Sequence, residues 1–265
     1  MWRNVMRIII PTRGRVNYQL TLQSLSGELR KRTTIVCPKT ERLRLACLDD
    51  DIEVVAQPDP DWKIAQKRKW IMEEWSRRGC EKILMLDDDL SFWTRISESN
   101  TGLRPISGDE LGAEIQRLAD KLGPEYPHVG FGPRQGNDKV ESGWKTPARM
   151  MCSLAYYLPI VVECELGRIE TREDFDLTLQ LLRKGYRNAV WHTTVHDQKY
   201  DAPGGCSPWR TPESSKADAY ELARLHPGYV SVVERAYEAS VPRKEEICQW
   251  QKALEDGLKN KSQYR

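Results

Sequence analysis

The chain has 265 residues, 30% of them charged, and a formal net charge of +2, enough for one large α/β domain with a buried core and too balanced for a strongly basic protein. Seven cysteines, an odd number with no Cys-x-x-Cys pair, exclude a disulfide framework and a zinc site and fit a reducing compartment. The most apolar longer stretch, Met150–Val162, is too short for a membrane span and is broken by Pro159, and no apolar signal segment follows Met1, so the expectation is a soluble, cytoplasmic protein, in the host cytoplasm if phage-encoded.

Charge is uneven along the chain. Residues 1–80 carry 16 Lys+Arg against 10 Asp+Glu, an excess of +6, and the remainder carries 25 against 29, or −4. A basic amino-terminal third suits an anionic ligand such as a sugar nucleotide or nucleic acid, and a solvated surface equally.

In chain order, Val5–Ile10 predicts a buried strand broken by Pro11-Thr12-Arg13-Gly14-Arg15, which places two fixed positive charges at the strand's carboxyl end. Residues 16–25 predict a helix, 33–37 a strand stopped by Pro38, 41–48 a helix and 52–56 a third strand. Three βα units at this spacing predict a parallel sheet with right-handed crossovers. A helix follows over 61–75, whose Lys63, Lys67, Arg68 and Lys69 could face a diphosphate or water.

Lys82–Leu90 is the most informative stretch. The apolar run Ile83–Leu86 predicts a strand buried on both faces, and Asp87-Asp88-Asp89 follows at once. Dense negative charge at the carboxyl edge of a sheet lies where open α/β folds keep their ligands. Alternation points Asp87 and Asp89 to one side, a donor pair suited to Mg²⁺ or Mn²⁺. A solvated acidic turn is the plainer alternative.

Beyond it, 97–105 predicts a polar loop, 108–122 a helix, 128–132 a short strand, 133–146 an irregular loop and 149–158 an apolar strand. Arg172-Glu173-Asp174-Phe175-Asp176 opens an amphipathic helix ended by Gly185; such acids serve as caps, or as a general base if one reaches a hydroxyl. A last strand over 188–195 carries His192 and His196, spaced to face one side; His196, at the strand end, is the candidate metal ligand and His192 the structural one. A Pro/Gly-rich loop runs to Pro212, and residues 213–265 predict a helical, polar extension packed on a catalytic domain of residues 1–212.

The order of these parts resembles the GT-A-type nucleotide-sugar glycosyltransferases: a Pro-Thr-Arg-Gly-Arg turn, an aliphatic strand into Asp87-Asp88-Asp89, Glu173-Asp174 opening a helix, and a histidine after the next strand, together covering roughly residues 5–200. The resemblance implies a GT-A-like Rossmann-type fold, α/β with a mostly parallel sheet flanked by helices and a helical carboxy-terminal appendage. It matches Asp87 and Asp89 to the family's Asp-x-Asp motif and Asp174 to the base of inverting members. The compact form, the Pro-Thr-Arg-x-Arg turn and the Gly204-Gly205 loop are similar to the phage and base-J-associated glycosyltransferases found alongside TET-type dioxygenases, thought to modify hydroxymethylated pyrimidines in DNA.

What this implies for the site is specific. A nucleotide-diphosphate sugar, UDP-linked by preference, contacts Pro11, Thr12, Arg13, Arg15, Arg68, Asp87 and Asp88. Mn²⁺ or Mg²⁺ sits on Asp87, Asp89 and His196, and Asp174 is the base. Glu173, Gly204, Gly205, Trp209, Arg210 and Trp144 form the acceptor side, with Lys145 and Arg149 near the last. Two other classes stay open: a sugar-phosphate nucleotidyltransferase, which would want a more glycine-rich first turn than Gly14 alone supplies, and a non-catalytic nucleic-acid-binding protein using the basic first third.

Overall fold

The computed structural model describes residues 5–97, 100–199, 204–205, 211–235 and 243–263. In chain order the elements are β1 (Arg7–Pro11), α1 (Leu20–Ser24), α2 (Gly27–Arg30), β2 (Thr33–Cys37), α3 (Arg42–Ala46), β3 (Glu53–Ala56), α4 (Ile64–Arg77), β4 (Lys82–Leu86), β5 (Leu90–Ser97) and β6 (Asn100–Ile106). There follow α5 (Gly108–Lys121), β7 (His128–Pro133), β8 (Trp144–Lys145), β9 (Ser153–Tyr157), α6 (Leu158–Val161), α7 (Glu173–Arg183) and β10 (Asn188–Gln198). Beyond the loop lie α8 (Pro212–Leu225), β11 (Val230–Arg235), β12 (Arg243–Cys248) and α9 (Trp250–Gln263).

Ten strands form one sheet in the order β3-β2-β1-β4-β9-β7-β10-β5-β6, with β8 paired to β10. The first four are mutually parallel, as three βα crossovers require. Strand β9 runs antiparallel to both β4 and β7, and β10 is parallel to β7 and antiparallel to β5 and β8. Following these pairings across the sheet, only β5, β8 and β9 oppose β1, so the sheet is mixed but mostly of one direction.

Alternation along the strands builds two cores. Ile8, Ile10, Leu84 and Leu86 join one cluster with Leu22, Leu29 and Leu111 of the helices on that face. Ile9, Ile83 and Met85 point the other way, onto Ile71, Trp75 and Leu177. Because both faces are covered, β1 and β4 read as continuous apolar runs, which makes them visible in the sequence.

Two segments differ from the sequence expectation. Residues 97–105, expected as a polar loop, largely form β6, an edge strand whose residues are mostly exposed and which carries Pro105, tolerated at an edge. The carboxy-terminal segment holds its two helices and also an antiparallel hairpin, β11–β12. It packs on α7 through Phe175, Leu179 and Leu182 against Leu222, Ala253 and Leu254. A buried polar tie joins them as well: His226 Nε2 meets Asp176 Oδ1 at 2.8 Å, and Arg168 also grips Asp176. No helix among the described residues is long and apolar enough to cross a membrane.

Candidate active site

The site begins where β1 and β4 end side by side. Thr12 N–H still donates to Val36 at 2.9 Å, and Gly14, at φ +72°, then turns the chain so that Arg15 comes back over the acidic loop. That loop is pinned from below by Thr21, whose N–H reaches the Asp88 carbonyl at 3.3 Å, while its hydroxyl donates to the Asp87 carbonyl and accepts the Leu90 N–H. Strand β4 ends at Leu86, so strand alternation does not govern the three aspartates: Asp88 and Asp89, not Asp87 and Asp89, share a partner.

That partner is Arg15, whose Nη1 lies 2.5 Å from Asp88 Oδ1 and 2.8 Å from Asp89 Oδ2. The Thr12 hydroxyl donates to the other Asp88 oxygen, and Gln19 and Lys67 brace Thr12 through its hydroxyl and carbonyl at 3.1 and 2.8 Å. Asp87 instead takes Arg68 Nη2 at 2.7 Å, and Arg68 Nη1 continues to Glu173 Oε1 at 2.5 Å. Gln198, at the end of β10, reaches Asp89 at 3.3 Å.

One cleft is lined by Pro11, Thr12, Arg13, Arg15, Arg68, Asp87, Asp88, Asp89, Glu173, Asp174 and Gly205. Its lining also includes Lys63, Lys67 and Lys199, so six cations (Arg13, Arg15, Lys63, Lys67, Arg68, Lys199) face five carboxylates (Asp87, Asp88, Asp89, Glu173, Asp174). Burial pushes Asp88 up to about 6 against the pull of Arg15, and raises Asp89 as well. Burial likewise lifts Glu173 to about 7 and raises Asp174, with Arg68 opposing both and Arg149 also opposing the rise at Asp174. Lys67 moves the other way, to about 8, because burial disfavours its charge more than Asp88 favours it.

Several residues fall elsewhere than the sequence suggested. His196 contacts Ser153 Oγ at 3.1 Å, is lowered to about 4 by burial, and lines an adjoining cavity with His192 rather than the cleft; the two share that cavity although the pairing of β10 with β7 is irregular between Trp191 and Val195. Trp144 is the register partner of Trp191, and the two indoles pack 5.1 Å apart across β8 and β10, away from the acidic loop. Gly204 and Gly205 sit against the basic turn and not on an acceptor wall: Gly205 N–H donates to the Arg13 carbonyl at 2.9 Å, and a Cβ there would come within 3.0 Å of Arg15 Nη2. Trp209 and Arg210 lie outside the described residues.

Sequence reasoning misses Gln198 and favours water for Lys67. A lysine on an amphipathic helix usually faces water; Lys67 is 3% exposed because α4 packs its first turns against the β1 turn.

Among the described residues no group of three or more His, Cys, Asp or Glu is placed to hold a metal. Asp87 and Asp89 nevertheless both line the cleft, and their carboxylates supply the hard oxygen donors that a divalent ion takes. Mg²⁺ and Mn²⁺ are commonly held by one or two carboxylates with phosphate and water completing the shell, so this pair fits.

Residues 6–205 match the family of TET-associated glycosyltransferases, and the chain belongs to that family. A search of curated proteins gives no match. Among solved structures, one described as mannose-1-phosphate geranyltransferase from Thermus thermophilus aligns over 74% of this chain at 15% identity with a TM-score of 0.37. The chain spans 57% of the length of that structure.

Proposed function

We propose that the protein is a metal-dependent glycosyltransferase that moves a sugar from a nucleotide-diphosphate sugar, UDP-linked by preference, to the hydroxyl of a 5-hydroxymethylpyrimidine in DNA, with inversion at the anomeric carbon. Membership of a glycosyltransferase family supports the reaction class. The observation that carries the residue assignment is the Arg68 bridge, which ties the acidic loop to the helix start bearing Asp174 across one cleft.

The basic turn and Lys67 supply the anion-binding side. Arg13 and Arg15 come from the end of β1, and Lys67 from α4, so their charges converge where a diphosphate would lie. Asp87 and Asp89 would hold Mn²⁺ or Mg²⁺, which when bound offsets the charge developing on the departing diphosphate.

Asp174 faces the same cleft, and its raised pKa, caused first by burial, makes it a better proton acceptor than an ordinary carboxylate. It takes the proton of the acceptor hydroxyl as that oxygen forms its bond to the anomeric carbon. The bond from that carbon to the phosphate oxygen breaks, and its electron pair leaves on the nucleoside diphosphate. Arg68 holds Glu173 aside as an ion pair, keeping the neighbouring carboxylate from competing for the hydroxyl.

The test is a thermal-shift screen against UDP-, GDP- and dTDP-sugars with and without Mn²⁺. A UDP-sugar should raise the melting temperature only when Mn²⁺ is present, by mass action on the folded state. No shift with any nucleotide sugar would reject the reading.

A further inference from the structure

A second cavity adjoins the cleft and shares Met151, Cys152 and Gln198 with it. Its other walls combine flat apolar surface, Pro147 and Trp250, with the cations Arg134, Lys145 and Arg149. Against these three cations stands one carboxylate, Asp197, so the lining carries a formal +2 with its histidines neutral. Asp197 pairs with Arg134 at 2.7 Å, while Lys145 has no ion-pair partner among the described residues.

The shared rim is not ordinary backbone. Cys152 holds φ +61°, a conformation residues with side chains rarely adopt, and its carbonyl accepts the Asp87 N–H at 3.0 Å. The far wall is tied to the helix that carries the proposed base. Trp250 packs edge-on against Phe175 at 5.5 Å, and the Arg149 guanidinium lies 4.8 Å over the same ring. Trp250 stands 45 residues past position 205, where the family match ends (250 less 205), so this wall comes from the carboxy-terminal segment.

We infer that the second cavity is the acceptor entry and takes one nucleotide unit of a nucleic acid, Trp250 stacking the base and Lys145 and Arg149 meeting its phosphates. The inference rests on the glycosyltransferase reading above. Aromatic rings beside cations recognise single nucleotides in this way, by base stacking and charge together. A nucleotide held there presents its hydroxyl across the Met151–Cys152 rim toward Asp174. Reaching a base this way requires it to leave the duplex stack, as enzymes that act on bases do.

Fluorescence anisotropy with an end-labelled single-stranded oligonucleotide tests this beside the nucleotide-sugar thermal shift. Trp250→Ala should weaken oligonucleotide binding about tenfold. Lys145→Gln should weaken it and reduce the slope of log affinity against log salt by about 0.7. Both variants should keep the nucleotide-sugar shift. The assignment is overturned if wild-type protein does not bind the oligonucleotide, if both variants bind it unchanged, or if a polyglutamate peptide competes equally well. Loss of the nucleotide-sugar shift in wild-type protein would instead remove the donor reading beneath it. Should Trp250→Ala fail to fold, Lys145→Gln, at an exposed position, decides the matter alone.

Discussion

Arg68 and Glu173 are 105 positions apart in the chain and meet at 2.5 Å, with the second arm of the same guanidinium on Asp87 at 2.7 Å. Arg68 is 5% exposed. Burial alone would depress its charge, and the two carboxylates hold it firmly ionised instead. Removing the cation strands two carboxylates in a largely dry site. Arg68→Met should lower unfolding free energy by about 3–5 kcal/mol in urea melts. Adding Glu173→Gln should restore part of that loss, and a double variant no more stable than Arg68→Met would deny the pairing its importance.

Asp174 is assigned the proton transfer, so Asp174→Asn should slow turnover roughly 10²–10⁴-fold. The nucleotide-sugar thermal shift should survive, because the proposed donor contacts are made by other residues of the cleft. Weakened donor affinity with unimpaired turnover would reject the role.

The pair proposed to bind the ion, Asp87 and Asp89, can be separated from its neighbours. Both oxygens of Asp88 are occupied by Thr12 and Arg15, and His196 is occupied by Ser153. Asp89→Asn should therefore abolish the Mn²⁺-dependent part of the thermal shift, and His196→Gln should leave it in place. Chelation with EDTA should reproduce the Asp89→Asn result in wild-type protein.

Gly205 at φ +66° and Gly79 at φ +79° share the left-handed backbone but not the surroundings. A Cβ at Gly205 meets Arg15 within 3.0 Å, and one at Gly79 meets nothing within 4 Å. Alanine at either should cost about 1 kcal/mol of stability from backbone strain. Only Gly205→Ala should also reduce nucleotide-sugar affinity, measured by titration calorimetry, because it pushes the Arg15 guanidinium off Asp88 and Asp89.

His128 is fully buried, stacks on Tyr156 with ring centroids 4.7 Å apart, and is lowered by burial to about 3. The unfolded chain binds that proton near pH 6.5 and the folded chain does not, so His128 leaves folding unaffected well above pH 6.5 and disfavours it progressively below. At pH 4 the loss from this group is about 3 kcal/mol. His128→Phe should flatten the fall in melting temperature between pH 6.5 and 4 relative to wild type.

Much of the donor half is legible because the sequence writes it in strong terms. Ile8–Ile10 and Ile83–Leu86 are buried on both sheet faces and leave no polar interruption, and the charged turns at their ends stand out against them. Strand β6 is hidden because an exposed edge needs no apolar pattern, and the β11–β12 hairpin because β12, Arg-Lys-Glu-Glu-Ile-Cys, is mostly polar. Lys67 is ambiguous on its helix alone, since the turn that buries it comes more than fifty positions earlier, the separation of its bond to Thr12 being 55. The placement of Trp144 depends on β8 pairing with β10 in register with Trp191, a relation that neither segment announces on its own.

Three ties that shape the cleft are distant in the chain: Arg15 to Asp89 spans 74 positions, Arg68 to Glu173 spans 105, and Gln198 to Asp89 spans 109. A nucleotide-sugar site built on these ties, as proposed, needs residues from Arg15 to Gln198 folded together, so an excised first half, however basic, should bind no nucleotide sugar.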